Sequence, residues 1–141
     1  MSNKRVWEVI GVTVLVIGLI VIFVSSTGEK ALIEAHNKIV QLERDYVDAL
    51  QTADDGRSDA AAWRIAKDSS NDFLVGIKAV DLSDCPDDYK MKVTDLINAV
   101  GNVQRAAEDE DMDAFLKWNE NRVTIAQELT RIGAKHGLEI Q

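Results

Sequence analysis

Hydrophobic and polar positions divide this chain into two unequal parts. Residues Val6 to Val24 read VWEVIGVTVLVIGLIVIFV, apolar on every side of a helix. From residue 29 onward apolar positions recur every three or four residues among charged ones, the period of helices that bury one face. A first stripe runs Leu32, Ala35, Ile39, Leu42, Tyr46, Ala49 and Ala53, with His36 one position off it. A second runs Ala62, Ala66, Ser69, Phe73, Ile77 and Val80, with Ile65 beside it. The third, Tyr89, Val93, Leu96, Val100, Val103 and Ala107, alternates four and three without a miss, and Phe115, Trp118, Ile125, Leu129 and Ile132 mark a fourth.

The breaks between stripes have their own chemistry. Asp54-Asp55-Gly56 ends the first, and Ser58 suits an N-cap for the second. Ser83 or Asp84 is placed to cap the third, with Pro86 tolerated in its first turn. Glu108-Asp109-Glu110-Asp111 reads as a polar turn followed by the acidic start of a fourth helix. That stretch lacks Gly and Pro, so one continuous helix is the alternative there. Lys135, His136, Gly137 and Leu138 form a C-terminal stop, with Gly137 as its left-handed residue. Gly76, Gly101 and Gly133 lie within helical stretches, where glycine is unfavourable by up to about 1 kcal/mol, and are expected to mark close helix contacts.

Helices are therefore expected at 29–54, 59–80, 86–107 and 112–136, and no alternating strand pattern of any length occurs. Such short connections require antiparallel neighbours. The expected fold is all-α: an N-terminal single transmembrane helix followed by an antiparallel, up-down-up-down four-helix bundle.

The apolar run sets the expected location. Nineteen residues rise about 28 Å as a helix, close to a hydrocarbon core of about 30 Å. Glu8 falls in the first turn, where a carboxylate reaches the headgroups. A cleaved signal peptide would carry a shorter apolar core and an A-x-A-like site, for which Ser26-Thr27-Gly28 is a poor candidate. A lipoprotein would need a cysteine just after the run, and Cys85 is far downstream. A buried core helix would carry a polar face. The expected organisation is thus a cytoplasmic N-terminus at 1–5, a signal anchor at 6–25 and the bundle at 26–141. Lys4 and Arg5 flank the run on one side, whereas Lys30 and Lys38 beyond it are diluted by Glu29 and Glu34. The positive-inside rule then places the bundle outside the cytoplasm, in the periplasm or at the outer face.

Charge narrows the partners. Without Lys4, Arg5 and Glu8 the chain keeps 14 basic and 23 acidic residues. Such a surface repels nucleic acid and anionic headgroups and favours basic partners or cations; a protein partner or a homo-oligomer is expected beside the membrane itself.

Candidate chemistry is sparse. A di-iron bundle needs Glu-x-x-His pairs, but Ile33 precedes His36 and Gly133 precedes His136 at that spacing. Two histidines and one cysteine fall short of a zinc set, and no phosphate loop, HExxH or haem-attachment motif occurs. Cys85 starts a helix beside Asp84, Asp87 and Asp88, whose charges disfavour a thiolate. It is expected as a buried small side chain or as an intermolecular disulfide, not as a catalyst. His36 and His136 fall at one end of an antiparallel bundle, a layout that resembles four-helix b-type cytochromes with axial ligands on the first and last helices. The resemblance covers topology and two side chains only, and the methionine ligand of such proteins is missing from the first helix. No cofactor and no metal are expected.

Asn119 and Arg122 continue the inner face of the fourth stripe, where a guanidinium must be paired. Arg122 is expected to hold a ligand carboxylate, to snorkel outward, or to pair with Asp68, Asp72 or Asp95. The acidic turns, Asp54 and Asp55 together with Glu108, Asp109, Glu110 and Asp111, are the candidate partner surface. The function expected from these features is a membrane-tethered, non-enzymatic interaction module or accessory subunit. The alternative is an extracytoplasmic ligand-binding or sensory bundle, similar in outline to chemoreceptor ligand domains.

Overall fold

The computed structural model describes residues 27–53 and 58–138. Among them the chain forms four α-helices and no strand: α1 Thr27–Ala53, α2 Asp59–Lys78, α3 Asp87–Glu108 and α4 Met112–Lys135. No helix among the described residues is long and apolar enough to cross a membrane. The expected anchor at 6–25 lies outside the described residues, as do Asp54 and Asp55.

Local capping explains most of the boundaries. Ser58 stays extended and its Oγ accepts from the Ala61 N–H at 3.3 Å, starting α2 where the sequence placed it. α3 departs from expectation. Pro86 occupies its capping position with no side-chain cap, and Ser83 turns instead to the Asp81 carboxylate through both its N–H and its hydroxyl. The 107–113 stretch does break, although it lacks Gly and Pro. Glu110 adopts φ 54°, and the N–H groups of Glu110 and Asp111 return to the Ala107 and Ala106 carbonyls at 3.2 and 3.0 Å. Asp111 then caps α4, its Oδ1 accepting from the Ala114 N–H at 3.0 Å. Gly137, at φ 98°, closes α4 in the same way. The Gly137 and Leu138 N–H groups donate to Ala134 and Gly133, and buried Leu138 folds back onto Gly133. A Cβ at Gly133 would strike Leu138, and one at Gly76 would strike Leu42, so both glycines mark close approaches.

Gly101 is different: a Cβ there would meet nothing within 4 Å, so no close contact explains it. Gly101→Ala is therefore expected to stabilise the domain by about 0.5–1 kcal/mol through helix propensity and a less flexible unfolded chain. Thermal unfolding checks this, and a lowered midpoint would refute it.

Each helix packs on the next, and the contacts give their directions. His36 near the start of α1 meets Tyr89 at the start of α3, and Asp88 meets His136 just beyond α4. At the opposite end Trp63 of α2 lies edge-on to Phe115 of α4, with ring centroids 5.5 Å apart. Successive helices thus run in opposite directions.

The α3 stripe is buried throughout, as its spacing predicted. The seams of α1 and α4 are rotated from the expected ones. On α1 the seam runs Leu32, His36, Ile39, Glu43, Tyr46, Leu50 and Ala53, flanked by buried Ile33, Ala35, Val40 and Val47, while the expected Leu42 and Ala49 are only half-buried. On α4 the seam runs Phe115, Asn119, Arg122, Ala126, Leu129 and Gly133, with Val123 also buried and Trp118, Ile125 and Ile132 half-buried beside it. Both seams alternate four and three, the spacing of knobs-into-holes packing. Each carries polar residues through the centre of the core.

Candidate functional site

The rotated seams bring four polar residues together inside the bundle. α1 supplies Glu43 and Tyr46 one turn apart, and α4 supplies Asn119 and Arg122 at the same spacing, so each pair projects from one helix face. Arg122 is fully buried and Glu43 is 2 % exposed. Arg122 Nη1 donates to Glu43 Oε2, joining α1 to α4 directly. The guanidinium carbon also lies 4.8 Å from the Tyr46 ring centroid, close enough for a cation–π contact.

Asn119 organises the surroundings. Its Oδ1 accepts from the Tyr46 hydroxyl at 2.8 Å and from Arg122 Nε at 3.3 Å, while its Nδ2 donates to the Phe115 carbonyl at 2.9 Å. Burial pushes the Tyr46 phenol up to about 12, only partly offset by Arg122 and Asn119, so it remains a protonated donor. Ser70 of α2 also lies beside Tyr46, its hydroxyl donating to the Ala66 carbonyl. The arrangement is not saturated: Glu43 Oε1 and Arg122 Nη2 are buried and without a hydrogen-bond partner among the described residues.

This geometry changes the reading of Arg122. Its partner is Glu43, not Asp68, Asp72 or Asp95. Glu43 escaped the sequence reading because a charged residue between Ile39 and Tyr46 looks like a solvated position, which shifted the stripe onto Leu42. An incoming ligand carboxylate would meet the negative charge of Glu43 on the same guanidinium, a like-charge contact that disfavours it.

The two histidines reach the first turn of α3 from different sides. His36 is 2 % exposed, and its Nδ1 lies 2.9 Å from the hydroxyl of fully buried Tyr89. Burial lowers the His36 pKa to about 4, so the ring is neutral at ordinary pH. His136 is half-buried, and its Nε2 lies 2.8 and 3.0 Å from the two Asp88 carboxylate oxygens. Partial desolvation pushes Asp88 up, but hydrogen bonds from His136 and Lys135 outweigh it and hold the carboxyl below its ordinary range. Each imidazole is thus engaged by its own α3 side chain, and Tyr89 fills the interior next to His36. Among the described residues no three His, Cys, Asp or Glu side chains are grouped to hold a metal ion. Cys85 is buried, and desolvation raises its thiol pKa against the nearby Lys90, with Asp81 and Asp84 adding to the rise. A covered, protonated thiol is a poor nucleophile.

The acidic turn between α3 and α4 separates into roles. Asp111 is the α4 cap, and Glu110 lies 3.2 Å from Lys67 of α2, whereas Glu108 and Asp109 are exposed. Beside them an open groove of about 240 Å³ is lined by Asn102, Arg105, Ala106, Asp109, Asp111, Ala114 and Trp118.

The fold and its interior define the class of this protein: an all-α helical bundle whose core is crossed by a carboxylate–guanidinium pair. Comparison with protein families, curated proteins and solved structures returns no match.

Proposed function

We propose that this chain is a membrane-tethered, non-enzymatic interaction module, an accessory subunit that presents an acidic helical bundle to a protein partner. The anchor is the apolar run at 6–25, with the N-terminus in the cytoplasm and the bundle on the other side of the membrane. One observation carries the reading: the groups that looked capable of chemistry are engaged by the chain's own side chains. His36 faces Tyr89, His136 faces Asp88, and Arg122 faces Glu43. What remains for an outside molecule is the surface, and that surface is acidic.

Length and direction favour the far tip as the docking region. A helix of 27 residues spans about 40 Å. An anchor preceding α1 therefore puts Glu108 and Asp109, with the groove beside Trp118, about that distance from the bilayer. A basic partner fits this tip by charge, and long-range attraction between opposite charges would speed its association.

Mild crosslinking in native membranes followed by affinity recovery of the full chain tests the proposal. A specific protein should co-purify, and Glu108→Lys with Asp109→Lys should reduce its recovery several-fold while the helical content stays unchanged. A chain recovered alone from several mild detergents would overturn the reading.

A further inference from the structure

We propose that the bundle holds an internal hydration site between α1 and α4, in which water donates to Glu43 Oε1 and accepts from Arg122 Nη2. The two side chains are 3 % and 0 % exposed, so bulk solvent does not reach them. They touch through Nη1 and Oε2 alone, leaving one acceptor and one donor of the pair unmatched. A buried atom of a charged group without a partner is more unfavourable than the ordering of one water molecule.

The chemistry of the two atoms selects the occupant. The ion pair is neutral as a unit, so neither an anion nor a cation is drawn to it: Glu43 repels the first and Arg122 the second. The occupant must be neutral, and it must offer a donor and an acceptor at once. Each unmatched atom belongs to a group in direct contact with the other group, so both lie within the reach of a very small molecule. Water meets all these conditions. Other polar groups nearby are already committed: Asn119 to Tyr46, Phe115 and Arg122, and Ser70 to Ala66. The polar side chains here therefore do not close the gap by themselves, and interiors of this kind retain bound water with two to four polar partners.

A crystal structure of the full chain in detergent, at a resolution that shows ordered water, tests the site directly. The expected result is water density within hydrogen-bonding distance of Glu43 Oε1 and Arg122 Nη2. In solution, the Arg122 side-chain N–H protons should show a cross-relaxation peak to long-lived water. A bidentate pair in which Oε1 and Nη2 bond each other, density for an anion, or the lack of both water density and the water peak would each overturn the proposal. Both arms use the unaltered protein, so the outcome does not depend on whether a variant folds.

Discussion

Replacing Arg122 with methionine is expected to destabilise the domain by about 3–5 kcal/mol, because it leaves the Glu43 carboxylate buried without a counter-charge. Glu43→Leu should cost a similar amount by stranding the guanidinium. Against the 5–15 kcal/mol typical of a whole domain, either change places the fold near its limit. The double variant, Glu43→Leu with Arg122→Met, removes both charges and fills the space with apolar atoms. It should recover most of the loss, since replacing a buried pair by apolar residues of similar volume is often neutral or better. Urea unfolding of the four proteins in a double-mutant cycle measures the coupling. Two single losses that merely add in the double variant would show that the pair is not coupled. The expected coupling is large because the contact lies far from solvent screening, unlike the exposed pair Lys30–Glu34, from which less than about 1 kcal/mol is expected.

The second large effect is a dependence of stability on pH set by His36. Its pKa is about 4 in the folded protein and near the ordinary 6.5 when unfolded. Between those values the unfolded chain binds a proton that the folded chain refuses, so stability falls as pH drops through 6.5 and levels off below about 4. The difference corresponds to about 3 kcal/mol across the window. Asp88 acts in another range. Its lowered pKa contributes stability that is lost only below the usual carboxylate titration. Unfolding free energies measured from pH 7.5 to 4 should therefore show the loss. His36→Leu combined with Tyr89→Phe, which removes both partners of the buried hydrogen bond, should flatten the curve in that window. An unchanged slope in this variant would assign the effect to other groups.

How far the sequence alone carries the fold varies from helix to helix. On α3 every seam position is apolar, so Tyr89 to Ala107 could be read directly and all six positions proved buried. Ser58 and Gly137 were equally legible, because a cap and a left-handed stop depend on residues a few positions away. The α3–α4 turn was harder. Its break uses Glu110 in the left-handed region, which a residue with a Cβ adopts only when its surroundings compensate. On α1 and α4 the pattern misleads, because Leu42 is more apolar than its buried neighbour Glu43 and Trp118 more apolar than buried Asn119. Hydrophobicity alone prefers Leu42. The seam from Leu32 through His36, Ile39, Glu43, Tyr46 and Leu50 to Ala53 and the stripe through Ala35, Leu42 and Ala49 alternate threes and fours equally well, so spacing does not separate them, and the seam found requires accepting a charge and an imidazole.

The interior site was half legible for the same reason. Asn119 and Arg122 stood out because they interrupt an apolar face, but nothing local identifies what answers them. Glu43 lies 79 residues from Arg122, and Tyr89 lies 53 residues from His36. By itself the sequence determined the helix periodicity, the Ser58 cap and the Gly137 stop, the acidic composition and the apolar run at 6–24, all of which follow from residues within a turn or two of each other. Only the tertiary structure decided which carboxylate meets the guanidinium, which hydroxyl meets the imidazole, and which atoms of the pair remain unmatched. Those outcomes depend on the relative rotation of α1 and α4. That rotation is set by the packing of the whole core, which local spacing does not encode.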